Sequence, residues 1–152
     1  NWISGSILRE AAHGKIPVLP QGGVNFVAVQ DVVLGHILAA EKGRSGERYI
    51  LGGENLTNRQ TIELACDIVG VKPPRLTQPR WTIPIAAAAL DLATAIVGPK
   101  LPLSGEQMRL TNEFLWFDSS KAQRELGLPV PCTPVRQALQ ECYEWYRAQG
   151  YL

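Results

Sequence analysis

Apolar positions recur with a helical period through most of this chain and cluster into a few short strand-like runs. Ile3, Ile7, Leu8, Ala11 and Ala12 share one side of a helix over 3–12, with Gly14 placed to end it. Residues 16–20 (IPVLP) are extended, because each proline disfavours helix in the residue before it, and Gln21-Gly22-Gly23 form a turn. The run VNFVAV over 24–29 is β-branched or aromatic at most positions, which predicts a buried strand. Asp31 is placed to cap a helix from Val32 to Lys42, ended by Gly43. A second strand is predicted at 48–51 (RYIL), closed by Gly52-Gly53.

Thr57 followed by Gln60 matches a capping box and opens a helix over 57–69, stopped by Gly70. A proline-rich connection with a strand near Arg75 and Leu76 leads to an Ala-rich helix over 84–97. That helix is apolar nearly all round, so it is expected to be buried or to face a partner. Ser104 caps a short helix to Thr111, residues 114–117 read as a strand, and Asp118 caps a helix over 119–126 closed by Gly127. Thr133-Pro134 supplies an N-cap and a first-turn proline for a final helix over 135–149. The fold class is therefore mixed α/β and helix-rich, with about six helices and four or five short strands. No internal repeat of about 20–50 residues is visible. The strands are too few and too short for a full doubly wound sheet, so the set reads as completing something larger.

Composition narrows this further. The 152 residues are 45% hydrophobic and 19% charged, which fits one ordinary globular domain, and 14 Gly with 11 Pro imply many loops. Fifteen basic residues against 14 acidic give a formal charge of +1, so bulk electrostatics predict no nucleic-acid partner and no membrane-surface partner. The longest apolar stretch, 82–97, is broken by Asp91 and is shorter than the roughly 20 residues of a membrane span. No secretory leader is expected from the opening residues. Cys66, Cys132 and Cys142 lack CxxC spacing and read as reduced thiols of a cytoplasmic protein. The chain opens Asn1-Trp2-Ile3, without an initiator Met and inside a predicted element, as a processed protein or a piece of a longer one would.

Candidate chemistry is sparse. Dinucleotide binding needs a Gly-rich turn that lets backbone N–H groups approach the pyrophosphate, and the glycines at 43, 46, 52 and 53 form neither GxxGxxG nor GxGxxG. A phenol one helical turn before a lysine can shuttle protons, yet Tyr49, Tyr143, Tyr146 and Tyr151 all lack that lysine; Tyr143 is followed by Arg147. His13 and His36 stand without neighbouring metal ligands and read as surface or helix-face residues. Ser4 and Ser6 lack a GxSxG elbow. Asp31 and Asp118 read as helix caps rather than catalytic carboxylates. Glu141, Glu144 and Arg147 share a solvated face of the last helix. Trp116, Trp145 and Tyr146 read as packing groups without a basic stripe beside them. The expectation is no catalytic, cofactor-binding or metal-binding residue within this chain.

Four strings nevertheless fall in a recognisable order. Asn25-Phe26-Val27-Ala28-Val29-Gln30-Asp31-Val32-Val33 with Gly35-His36 resembles the "fVhVdDva-gh" segment of extended short-chain dehydrogenases/reductases. Residues 46–57 (GERYILGGENLT) resemble the segment after it, the last parallel strand and a helix cap. Phe117-Asp118-Ser119-Ser120-Lys121-Ala122 with Glu125-Leu126-Gly127 resembles "D-x-S/A-K-A…ELG", and a final amphipathic helix completes the order. The match covers about residues 16–152 and resembles in particular the dihydroflavonol-4-reductase-like and hopanoid-associated sugar epimerase branch of the NAD-dependent epimerase/dehydratase family.

The resemblance implies that residues 1–152 are a single C-terminal substrate-binding portion, with the N-terminal Rossmann half, its Gly-rich loop and its Tyr-x-x-x-Lys pair outside this chain. The parent would be an oxidoreductase or an isomerase (epimerase) using NAD or NADP on a sugar or hydroxy-ketone, moving a hydride while the tyrosine moves a proton. For this chain alone the expectation is no cofactor and no activity. Its implied partners are its own N-terminal half, a small-molecule substrate and a second copy in a homodimer, in the cytoplasm. The resemblance places Arg109 near a phosphate-binding arginine of sugar-nucleotide relatives, the alternative being a solvated helix arginine. It places Trp2, Ser4 and Ser6 where the family's chain lines the substrate pocket. Val24 and Asn25 stand where nucleotide-sugar epimerases carry an Arg-Asp pair, and Ala28 and Gln30 replace the usual His and first Asp; both are departures from a nucleotide-diphosphate site. A different class of function is a stand-alone, non-catalytic binding or regulatory module derived from the same lobe.

Overall fold

The apolar faces predicted from spacing meet around a helix in the middle of the chain. The computed structural model describes residues 3–98, 104–129 and 132–152. In order they form α1 (Ile3–Ala12), β1 (Gly23–Phe26), α2 (Val29–Lys42), β2 (Glu54–Thr57), α3 (Asn58–Val69), α4 (Thr82–Val97), α5 (Gly105–Thr111), β3 (Phe114–Leu115), α6 (Ser120–Leu126) and α7 (Val135–Ala148). The mixed, helix-rich α/β class expected from the sequence is the one found. Leu8 and Ala11 of α1, Ile62, Ala65 and Cys66 of α3, and Val135 and Leu139 of α7 form one buried cluster with Leu19. Two further helix pairs form, α2 with α6 and α4 with α5.

The start of α3 follows from local chemistry. Thr57 Oγ1 accepts from Gln60 N at 3.2 Å and Gln60 Oε1 accepts from Thr57 N at 2.9 Å, the capping box its spacing predicts. Ser104 and Gln107 repeat the device at α5. Gly70 ends α3 at φ +84°, where a side chain would be strained.

Strands are fewer and shorter than the composition suggests. One sheet has the order β2-β1-β3, with Val24 opposite Leu56 in the antiparallel pair and opposite Leu115 in the parallel one. β1 stops at Phe26 and is only half-buried; Val29 already belongs to α2 and is 68% exposed. Its β-branched side chain thus decorates a helix surface. Residues 48–51 belong to no strand of the described sheet, because composition cannot make a ladder without a neighbour. The strand of this region lies later, at β2. Near Arg75 and Leu76 only a single bridge forms, between Leu19 and Thr77. β3 ends after Leu115, and the side-chain amide of Asn55 takes over from a strand: it accepts from Phe117 N at 3.2 Å and donates to Phe117 O at 3.0 Å.

Helix starts also differ. Ala28, not Asp31, is the N-cap of α2, and Pro134, not Thr133, that of α7. The two polar side chains bind each other instead. Asp118 does serve the first turn of α6, one residue later than predicted, accepting from Ser120 N at 2.8 Å.

Candidate functional site

The α4–α5 pair closes through its smallest residues. A Cβ on Gly105 would lie 2.3 Å from Ala87 O and 2.2 Å from Asp91 Oδ1, so only glycine allows this approach. One turn along α5, Arg109 then reaches Asp91, with Nη2 2.8 Å from Oδ2 and both side chains about half exposed. The far end of α5 is tied down by Asn112, which is buried: its Oδ1 accepts from Gln21 N at 2.9 Å and its Nδ2 donates to Met108 O at 2.8 Å. Asn58 Nδ2 donates to both Gln21 O and Thr111 O, joining α3 to the same point. Between the start of α4 and the end of α5 opens a cleft of about 300 Å³, lined by Arg80, Ile83, Pro84, Arg109, Asn112 and Glu113. That volume is at the lower end of those that hold small molecules. Its walls combine two guanidinium groups, one carboxylate and an apolar side.

Among the described residues of the predicted set, Arg109 lines this cleft. Trp2 lies outside the described residues. Ser4 and Ser6 lie on α1, which packs on α3 and α7, whereas α5 packs on α4. Arg80, Asn112 and Glu113 were not predicted, because nothing local marks them; each joins the cleft through the packing of α4 on α5. A second hollow beside Asp31, Gly52, Gln123 and Cys132 is about 10 Å³, room for about one water molecule.

The strings that carry the family resemblance touch each other away from the cleft. Lys121 Nζ donates to Glu47 Oε2 at 2.6 Å and to Arg48 O at 3.1 Å, and lies 4.8 Å from the centre of the Tyr49 ring. Arg44 Nη2 and Tyr49 Oη donate to Glu125 Oε2 at 2.7 and 3.1 Å. Donation from Lys121 lowers the Glu47 pKa, and donation from Arg44 lowers that of Glu125. These groups fasten α6 to the segment before β2. Asn25 is likewise structural: it donates to Asn55 Oδ1 at 2.7 Å and accepts from Gly53 N at 3.0 Å. His13, just past α1, places Nδ1 2.7 Å from Arg9 O, and His36 places its Nδ1 2.8 Å from Val32 O within α2. Among the described residues no group of three or more His, Cys, Asp or Glu side chains could hold a metal ion, and no helix is long and apolar enough to cross a membrane.

No protein-family model matches the chain. It is 31% identical over 156 residues to a dihydroflavonol 4-reductase-like protein of Synechocystis sp., covering 98% of this chain and 44% of that protein. It is 34% identical over 152 residues to sterol demethylase protein B of Methylococcus capsulatus, covering 99% and 46%. The chain belongs to the extended short-chain dehydrogenase/reductase (NAD-dependent epimerase) family. It corresponds to the C-terminal part of these enzymes and spans less than half the length of the curated relatives it matches. Among solved structures, the crystal structure of gox2253 shares 33% identity and superposes with a TM-score of 0.75 over 96% of this chain and 44% of its own. WbmF of Bordetella bronchiseptica, whose crystal structure holds NAD+, shares the fold at 21% identity and a TM-score of 0.61, over 97% of this chain and 37% of its own.

Proposed function

We propose that this chain is the substrate-side lobe of a cytoplasmic reductase or epimerase that uses NAD or NADP, with the dinucleotide site and the proton-transfer pair supplied by an N-terminal half outside these residues. The observation that carries the reading is the cleft between Arg80 and Arg109. A guanidinium has five N–H donors, so Arg109 retains donors beyond the one engaged by Asp91. Two such groups beside Ile83 and Pro84 suit an oxygen-bearing substrate with apolar faces, a sugar or a hydroxy-ketone. The role of this lobe is to bind and orient that substrate and to keep water from it. Val24 in place of the arginine of nucleotide-sugar epimerases, beside an Asn25 whose amide is engaged by Gly53 and Asn55, favours a substrate without a nucleotide diphosphate.

The residues present do not fit a dinucleotide: the chain has no Gly-rich loop to bring backbone N–H groups to a pyrophosphate. A docked N-terminal half is supported by the outer face of α2, where Val29, Val33 and Ile37 are 68%, 54% and 51% exposed, and by Ile50 in the unpaired segment 48–51. Calorimetry of the isolated chain should show no NAD(P) binding, and micromolar binding would overturn the division of labour. In the complete enzyme, Arg80→Ala and Arg109→Ala should each raise KM about tenfold or more with kcat little changed, as expected for lost uniform binding. Unaltered KM in both would sink the cleft assignment. A source protein of only 16.7 kDa would point instead to the non-catalytic module.

A further inference from the structure

The two arginines of the cleft are not equivalent. Arg80, two residues before α4, makes no ion pair among the described residues. Arg109, on α5, is bound by Asp91 of α4, with Nη2 2.8 Å from Oδ2. Asp91 is the only charged residue of α4, and it is not itself among the residues that line the cleft. Its carboxylate therefore acts on the cleft through Arg109.

The carboxylate of Asp91 is held at both of its oxygens. Oδ2 accepts from Arg109, and Oδ1 takes the space that a side chain at position 105 would need, 2.2 Å from where the Cβ would stand. Ala87, one turn before Asp91, is fully buried, and α4 and α5 pack closely along this line. The pairing thus follows from the packing of the two helices, and Arg109 cannot turn fully into the cleft without leaving its acceptor.

The balance of charge then decides what the cleft can hold. Arg80 and Arg109 bring two positive charges; Glu113 in the wall and Asp91 behind Arg109 bring two negative ones, a formal sum of zero. An anionic group drawn to Arg109 is repelled by the carboxylate beside it. An uncharged hydroxyl or carbonyl oxygen needs only the N–H donors that Asp91 leaves open, and a donor already fixed in direction loses little freedom on binding it.

We propose that Asp91 is a positioning residue that sets the charge selectivity of the cleft. It holds Arg109 as an oriented N–H donor with its charge cancelled, so that the site takes an uncharged sugar or hydroxy-ketone and rejects the phosphate ester of the same molecule. This rests on the reading of the cleft as the substrate site. If Asp91 did no more than tie α4 to α5, its loss would weaken both kinds of ligand alike.

The test uses the complete enzyme, N-terminal half included, and a matched pair of probes, D-xylulose and its phosphate ester. Calorimetric titration gives a Kd for each, and the share of the cleft is the binding that Arg109→Ala removes. There the unaltered enzyme should prefer xylulose to the ester by about tenfold or more. Asp91→Asn keeps the size and an acceptor but removes the charge, and should move the ratio of the two Kd values toward the ester by on the order of tenfold. Asp91→Glu, which keeps the charge, should retain the preference for xylulose. A ratio that Asp91→Asn does not move, with xylulose still bound in an Arg109-dependent way, overturns the role of Asp91 and leaves the cleft as the substrate site. An equal loss for both probes does the same, as does an ester bound more tightly than xylulose at the cleft of the unaltered enzyme. Absence of Arg109-dependent binding of either probe in every variant overturns the cleft reading and this proposal together.

Discussion

Asp31 and Thr133, 102 residues apart in the chain, are joined by two hydrogen bonds: Thr133 N–H and Thr133 Oγ1 donate to the two carboxylate oxygens of Asp31 at 2.8 and 3.0 Å. Asp31 sits in the first turn of α2 and Thr133 two residues before α7. The contact fixes where the chain enters α7, the helix that carries Val135 and Leu139 into the core. Both residues have the chemistry of helix caps, and each satisfies the other rather than its own helix.

Removal of the carboxylate leaves a half-buried N–H and hydroxyl without their acceptor. Asp31→Ala should lower the unfolding free energy by about 2–3 kcal/mol, and Thr133→Val, which keeps the backbone donor, by about 1 kcal/mol. Urea midpoints at constant m measure both. The double variant should lose less than the sum of the two single losses; strict additivity would show that the pair contributes no coupling.

What the sequence discloses about this fold divides by the distance over which the chemistry acts. The capping boxes at Thr57/Gln60 and Ser104/Gln107 span three residues and are read directly from the chain. Helices α1 and α3 likewise follow from apolar spacing. The Asp31–Thr133 pair needs two remote segments to meet, and no local rule distinguishes it from a cap. Residues 48–51 have strand composition, yet a ladder needs a neighbour that composition cannot supply. The cleft shows the same limit. Arg109 came from family resemblance, while Arg80 and Glu113 become cleft residues only once Gly105 has let α5 settle against α4.

Gly105 is therefore a sensitive position. An alanine Cβ there would collide with a backbone oxygen and with the Asp91 carboxylate, so α5 must move away from α4. Gly105→Ala should cost about 1–3 kcal/mol, the usual range for overpacking a close contact. It should also weaken substrate binding in the complete enzyme, because Arg109 rides on the displaced helix. Unchanged melting together with unchanged KM would show that the two helices are not held at this spacing.

The contacts of α6 should make stability depend on acid. Donation from Lys121 and Arg44 holds the Glu47 and Glu125 carboxyls below the ordinary glutamate value of 4.5. A depressed folded pKa contributes stability that is present above the unfolded value and is lost as pH falls through the folded one. Melting temperature should therefore fall as pH drops below about 4.5, and Glu125→Gln should flatten that decline. These groups are solvent-exposed, so added salt should reduce the effect as well. An equally steep decline in the variant would assign the acid sensitivity to other carboxylates.

The three cysteines are free thiols whose burial raises each pKa above the ordinary 9.0, with the negative charge of Glu63 adding to the effect at Cys66. A raised folded pKa means that the neutral thiol is favoured by folding, a contribution complete below the unfolded value and lost as pH rises through the folded one. Reactivity requires both thiolate and access. Cys66 has neither near neutral pH: it is 2% exposed, in the cluster with Leu8, Ile62 and Leu139. Cys132 and Cys142 are only half-buried. Iodoacetamide followed by mass spectrometry should thus label Cys132 and Cys142 slowly in the native chain and Cys66 only when the core opens. Denaturant should accelerate the Cys66 adduct along with global unfolding. Labelling of Cys66 at the rate of Cys142 in native buffer would mean that α3 does not stay packed against α1 and α7.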